Sequence, residues 1–341
     1  DEAREIGEKA LAINNHDARV YGILTDANVE LGNYDEAVIM ADSMVATRPD
    51  LRSYSRISYL REIYGEVEGA QEAMMMAVKA GYPGHEETSW SRVTLGNLYE
   101  TYGDLTRADV QYRTAIQNRR GYPFAIAGLA SVEAKKGNMA EATGLLKKAI
   151  DIRPEAGFYE QLALLYKQQG DEDNAAKAGE KAMETLKGLS GEHQHDHGDH
   201  SHRDGEHTHG QNEHGHSHEV GLEMAKMLVS LQQDYEEALH HGLHEYSRRP
   251  DNIEVNKLLA EVYYKTGRIK QASEHYEKAM VTNTKDPKLM MLGGLIKMAD
   301  GQSAEGKKMI LKSFEINPYQ TGPIASESKS KIGQGKRSLN T

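Results

Sequence analysis

The chain has 341 residues, 38% hydrophobic and 27% charged, and its 41 Lys+Arg against 52 Asp+Glu leave a formal charge of −11. That balance argues against general nucleic-acid binding, and no run approaches the roughly 18 apolar residues a membrane-spanning helix needs. Cysteine is absent, which removes disulfides, thiolate metal sites and cysteine nucleophiles.

Three residue series run in register through most of the chain. A mostly small position recurs at Ala10, Met44, Ala77, Ala115, Ala149 and Ala182, then after an interruption at Glu245, Ala279 and Ser313. A turn position recurs at Gly32, Gly65, Gly103, Gly137, Gly170, Gln233, Gly267 and Gly301. Five residues after each stands Ala37, Ala70, Ala108, Ala142, Ala175, Ala238, Ala272 or Gly306. A period of about 34 residues with one helix-breaking glycine per unit predicts stacked helix pairs.

Taken in chain order, residues 1–17 supply a second helix alone, with Ala3 and Ala10 in phase, and so a partial leading repeat with an uncapped apolar face. Five units follow over 18–187, at 18–50, 51–84, 89–122, 123–155 and 156–187. In the unit at 89–122, Leu95, Gly96 and Tyr99 share one face of a first helix, Gly103 ends it, and Ala108, Tyr112 and Ala115 line the second. Alanine at those points lets the two helices approach closely, and tyrosine fills the next gap with an apolar ring and a polar tip. Residues 188–218 break the period with ten His, six acids and one Arg, a composition that predicts a disordered loop. Units six to eight occupy 219–252, 253–286 and 287–320. The remaining 321–341, with Lys329, Lys331, Lys336 and Arg337 among Gly and Ser, reads as a disordered basic tail.

The pattern Leu95-Gly96-x-x-Tyr99, Gly103, Ala108, Tyr112, Ala115, with closing prolines at Pro49, Pro154, Pro250 and Pro318, resembles the tetratricopeptide repeat (TPR) family. The resemblance implies an all-α, right-handed superhelical solenoid of antiparallel helix pairs, acting as a non-enzymatic scaffold for a protein or peptide ligand in its concave groove. Gln233 in place of the turn glycine, Gly306 in place of alanine, and Arg61 where the family carries an aromatic are departures. In the family, four positions of each first helix build the groove. Carried onto the second to fourth units, these are Arg52, Ser55, Tyr59, Glu62, Trp90, Val93, Asn97, Glu100, Phe124, Ala127 and Ser131. Arg52, Ser55, Tyr59, Trp90, Asn97 and Phe124 are the expected contacts, an Arg-and-aromatic set suited to a binding hot spot. Trp90 and Phe124 serve equally well to cover seams between units. The lysine–asparagine pair by which some members clamp a chaperone's terminal carboxylate is missing, since Asn97 accompanies Val93 and Lys257 accompanies Glu261.

The interrupting segment carries a second chemistry. His193, His195, His197, His200, His202, His207, His209, His214, His216 and His218 alternate at spacings that let neighbouring imidazoles share a divalent transition metal, zinc or nickel. The segment is near −5 above neutrality and turns positive toward a pH of about 5.5, so metal binding there should weaken in acid. His240 and His244 share a helix face with Glu236 and are candidate anchors for such a metal. This resembles the His-rich segments of metal-delivery proteins and raises the alternative of a metal-buffering accessory protein. His275 beside Tyr276 reads as a packing residue. No zincin pair, phosphate loop or nucleophile elbow is present, so no enzyme and no required cofactor are expected. The missing cysteine, the His-rich insert and an opening that suits a trimmed leader point to a periplasmic or cell-envelope location, with cytoplasm as the alternative.

Overall fold

The expected turn glycines all take the left-handed conformation that costs glycine least: Gly32, Gly65, Gly103, Gly137, Gly170, Gly267 and Gly301 have φ between 74° and 92°. Each ends one helix and lets the next fold back. In the sixth unit the expectation needs correction. The left-handed residue there is Gln232 (φ 57°), not Gln233. Gln232 N–H reaches Val229 and Gln233 N–H reaches Leu228, the same closure that Gly32 and Asn33 make to Val29 and Asn28. The turn is therefore one residue longer, and Asp234 caps the helix that follows.

The computed structural model describes the backbone of residues 2–189 and 213–337 and the side chains of 2–188 and 221–333. Among the described residues there are eighteen helices and no strand. A lone α1 (Glu2–Ile13) precedes five pairs: α2 (Ala18–Leu31) with α3 (Tyr34–Thr47), α4 (Leu51–Ile63) with α5 (Val67–Ala80), α6 (Glu86–Thr101) with α7 (Leu105–Asn118), α8 (Pro123–Lys136) with α9 (Met139–Ile152), and α10 (Ala156–Gln169) with α11 (Glu172–Leu189). Three more follow: α12 (Glu213–Ser230) with α13 (Tyr235–Arg248), α14 (Ile253–Lys265) with α15 (Ile269–Ala279), and α16 (Pro287–Ala299) with α17 (Ser303–Ile316). The last helix is α18 (Pro323–Arg337). Each first helix packs on its own partner and, except between units five and six, where α11 meets α12, on the first helix of the next unit, the stacking of an all-α solenoid.

Close approach is what the small residues provide. Ala37, Ala70, Ala108, Ala142, Ala238 and Ala272 are wholly buried at the pair crossings. The glycine of the Leu-Gly-x-x-Tyr pattern makes room for a ring. A Cβ on Gly96 would lie 2.5 Å from Tyr112, and one on Gly128 in the next unit 2.4 Å from the same ring. Tyr112 thus wedges between two units, fully buried. Where the series places Glu245, the buried carboxylate is held by Arg249, with Nη2 at 2.9 Å and Nε at 3.0 Å.

The solenoid closes on itself. The loop after α13 meets the α2–α3 turn, where Arg249 pairs with Glu30, and Tyr34 Oη accepts from Ile253 N–H at 2.7 Å. The loop after α15 lies on the α4–α5 turn, and the loop after α17 on the α6–α7 turn, where Asn317 is bonded to the end of α6. Three successive loops of the later units therefore rest on three successive turns of the earlier ones.

Two expected disordered stretches are corrected in part. Residues 323–337 form α18 instead of a disordered tail. Its overall polarity conceals one apolar stripe: Ile324 and Ala325 are buried and Ile332 packs on the core. Glu327 anchors the helix to α14, accepting from Tyr264 Oη at 2.5 Å and Lys265 Nζ at 2.7 Å. In the His-rich segment, α11 runs on through Leu189 and α12 begins at Glu213, so His214, His216 and His218 stand on helix where a loop was expected. Extending an established helix by a turn or two costs far less than nucleating one. His193, His195, His197, His200, His202, His207 and His209 lie outside the described residues.

Candidate partner-binding groove

Each first helix turns one face toward the inside of the solenoid. On α6, α8 and α10 these faces enclose a hollow of about 310 Å³ lined by Val93, Asn97, Glu100, Phe124, Ala127 and Ser131, with Lys135, Phe158 and Gln161 beyond them. Its polar floor is built from the wedge between units. Tyr112 Oη reaches Asn97 Oδ1 at 2.7 Å and Glu100 Oε2 at 2.9 Å. Burial, then the Glu100 carboxylate, pushes the phenol well above its usual range, so it stays a donor. Glu100 also accepts from Ser131 Oγ and from Lys135 Nζ at 2.5 Å. Phe124 forms the apolar wall, 5.4 Å from Phe158 edge-on and 5.5 Å from Tyr122, with the Arg153 guanidinium over it. It both covers a seam and faces the hollow.

The other expected contacts go elsewhere. Arg52 and Trp90 sit on the opening turns of α4 and α6, outside the hollow. Arg52 is exposed, 3.8 Å from Glu87, and Trp90 is 51% exposed. Ser55 spends its hydroxyl on the Leu51 carbonyl at 2.8 Å. Tyr59 and Glu62 face the self-closure. Burial first, with Glu254, Tyr34 and Glu30 nearby, raises the Tyr59 phenol. Glu62 lies toward Asp286, Lys257 and Glu254, and burial with the neighbouring carboxylates lifts its carboxyl to about 7. Opposite it, Lys257 Nζ binds Asp286 Oδ2 at 2.5 Å. Burial opposes ionisation of Asp286, yet Lys257 keeps its carboxyl below the ordinary range.

Around the candidate metal anchors, His240 and His244 are exposed on α13. The His240 ring is 5.9 Å from that of His241, and His244 Nδ1 is 3.7 Å from Glu245 Oε1. Glu236, expected beside them, is taken by Arg268 Nη2 at 2.7 Å. Among the described residues no three His, Asp or Glu side chains converge on one point. His275 packs as expected, stacked 5.3 Å from Tyr263 and bonded to Asn256 Oδ1 at 2.8 Å.

A larger cavity of about 600 Å³ adjoins the hollow and shares Ser131, Lys135 and Gln161 with it. Its far wall comes from α14, α16 and the start of α18, including Glu261, Lys288, Met291 and Ile324. No sequence pattern pointed to these residues, because they meet α8 and α10 only through the self-closure. No helix among the described residues is long and apolar enough to cross a membrane.

Two stretches, 156–185 and 254–280, match the family model for the tetratricopeptide repeat. A curated relative, Cellulose synthase 1 operon protein C of Komagataeibacter xylinus, is 26% identical over 190 residues, covering 51% of this chain. The match spans 14% of that protein's length. Among solved structures, a tetratricopeptide repeat protein from Parabacteroides merdae is 18% identical, with a TM-score of 0.42 over 83% of this chain and 97% of its own. BtubC from P. vanneervenii is 16% identical, with a TM-score of 0.46 over 62% of this chain and 96% of its own.

Proposed function

We propose that this chain is a non-enzymatic scaffold that holds a segment of a protein partner on the inner face of its solenoid, centred on Asn97 and Phe124. The observation that carries this reading is the hollow on α6, α8 and α10. Positions from three units converge there on one apolar wall and one polar floor, the composition of a recognition site. Selection of binding segments from a displayed library of short random peptides tests it. Selected segments should lose most of their affinity for Gln161→Trp, which places a bulky, uncharged ring at an exposed position shared by both cavities. A library that yields no binder, or binders indifferent to Gln161→Trp, sinks the reading.

A second reading rests on the ten histidines of 188–218: this segment takes up zinc or nickel, and the solenoid presents it to a partner. Along α12, His214 and His218 are four residues apart, the spacing that places two residues on one helix face. Calorimetric titration of both metals near pH 7.4 and near 5.5 tests it. Binding that persists undiminished in acid, or that survives removal of the segment, excludes the assignment.

A further inference from the structure

The larger cavity is lined mainly by cations in a chain that is acidic overall. The chain as a whole carries −11. Yet Lys135, Lys167, Lys288 and Lys329 line this space against one carboxylate among the described residues, Glu261. Two of the four ammonium groups are balanced. Lys135 is paired with Glu100, and Lys288 lies 3.5 Å from Glu261. The other two are held by neutral oxygens: Lys167 Nζ donates to Gln232 Oε1 at 2.5 Å, and Lys329 Nζ to the Gln320 carbonyl at 3.1 Å. Cations without counter-charge in a recess with low-dielectric walls focus a positive field into it. The start of α18 adds to that field, since Pro323, Ile324 and Ala325 of its first turn line the same space.

The remaining lining suits a polypeptide. Gln161 and Gln168 are exposed there and offer primary amides, which can donate to a backbone carbonyl and accept from a backbone N–H, whereas the buried Gln320 amide is spent on Ser313 and Asn317. No aromatic ring lines the space among the described residues, so stacked bases would find no platform. We propose that this cavity receives an acidic, extended segment of the protein partner, whose carboxylates pair with Lys167 and Lys329. The inference rests on the scaffold reading and specifies the partner's chemistry.

The test is fluorescence polarisation on the full chain with three short labelled peptides of equal length: one rich in Asp and Glu, one with Gln in place of each acid, and one with Lys in place of each acid. The acidic peptide should bind about tenfold or more tightly than either control, and its affinity should fall as salt rises. Lys167→Glu combined with Lys329→Glu should remove that preference, while Lys187→Glu on α11, away from the cavity lining, should leave it intact. Circular dichroism melts of both variants show whether loss of binding is loss of fold. If the double variant melts early, Lys167→Gln alone should still weaken the acidic peptide severalfold. Equal binding of the Gln and acidic peptides overturns the acidic-partner inference and leaves the scaffold reading standing. Acidic-peptide binding that ignores every lysine substitution overturns the placement. Failure to bind the acidic peptide overturns the inference, whereas an empty library selection overturns the scaffold reading itself.

Discussion

Asn317 donates from its side-chain amide to the backbone carbonyl of Glu100 at 3.1 Å, and to that of Thr101 at 2.9 Å, across more than two hundred residues of sequence. The last carbonyls of a helix have no partner within it. Here a loop of the eighth unit supplies one to the end of α6 in the third. The same helix carries the floor of the hollow, so the self-closure and the groove share a foundation.

Asn317→Ala should therefore cost about 1 kcal/mol or somewhat more, since the Thr101 carbonyl loses its partner while that of Glu100 keeps the Gly103 N–H. Hydrogen exchange should accelerate at the α6–α7 turn and in the loop after α17, with little change around α1. Exchange that stays slow at that turn would mean that Asn317 does not hold the closure.

Turn glycines divide into two groups. Gly103 and Gly301 have nearly equal φ, 82° and 86°, so alanine at either pays about 1–2 kcal/mol for the left-handed conformation. A Cβ on Gly301 would meet nothing within 4 Å, whereas on Gly103 it would lie 2.9 Å from the Ile316 carbonyl oxygen. Urea denaturation should show Gly103→Ala to be the more destabilising substitution, and small-angle scattering should show an expanded particle for that variant alone. Equal losses with unchanged dimensions would contradict the observed closure.

The Tyr112 wedge offers a local test. Gly96→Ala drives a methyl into the ring and should cost about 1–3 kcal/mol, as overpacking does. Gly144→Ala, also within a helix but with open space around it, should be neutral or slightly stabilising. Thermal melts of the two variants settle the comparison.

Glu62 makes the closure sensitive to pH. Its folded carboxyl titrates near 7, above the ordinary 4.5, because burial and the carboxylates of Asp286 and Glu254 outweigh the attraction of Lys257. A carboxyl raised on folding contributes stability that is complete below about 4.5 and is lost as pH rises through 7. The melting temperature should thus fall between those limits as pH increases. Glu62→Gln should flatten that dependence, and the difference between the two profiles isolates Glu62 from the titrating histidines. Parallel profiles would show that Glu62 is solvated.

Deleting 190–212 should abolish most zinc or nickel uptake while leaving the melting temperature and peptide binding unchanged. Calorimetry and polarisation on the same preparation read both. Loss of peptide binding on deletion would tie the insert to the groove.

Periodicity alone located the helix pairs, because one glycine and one small residue per unit are steric requirements that show as letters. The Asn97 and Phe124 positions were legible for the same reason: they stand at fixed distances from those markers. Arg52 and Trp90 were expected as contacts yet stand outside the hollow, because register assigns a helix face but not how far along the axis the hollow extends. Gln232 was missed because an extra residue in the turn moves the left-handed position without disturbing the next helix. Lys167 left no signal and Lys329 read only as part of a basic tail, because contacts between units far apart in sequence bring them to one cavity. The tail looked structureless on composition, since three apolar residues suffice to seat α18 when α16 already offers a surface.

The resting of three loops on three turns also limits how such a chain can change its length. In an open solenoid a unit can be lost or duplicated with local effects, because each unit meets only its neighbours. Here the loops carrying Arg249, Lys285 and Asn317 must arrive opposite Glu30, Gly65 and Gly103. Removing a single unit between them would set every loop against the wrong turn. The number of units in one turn of the solenoid is then fixed, and the units tied by these contacts should unfold together instead of one at a time.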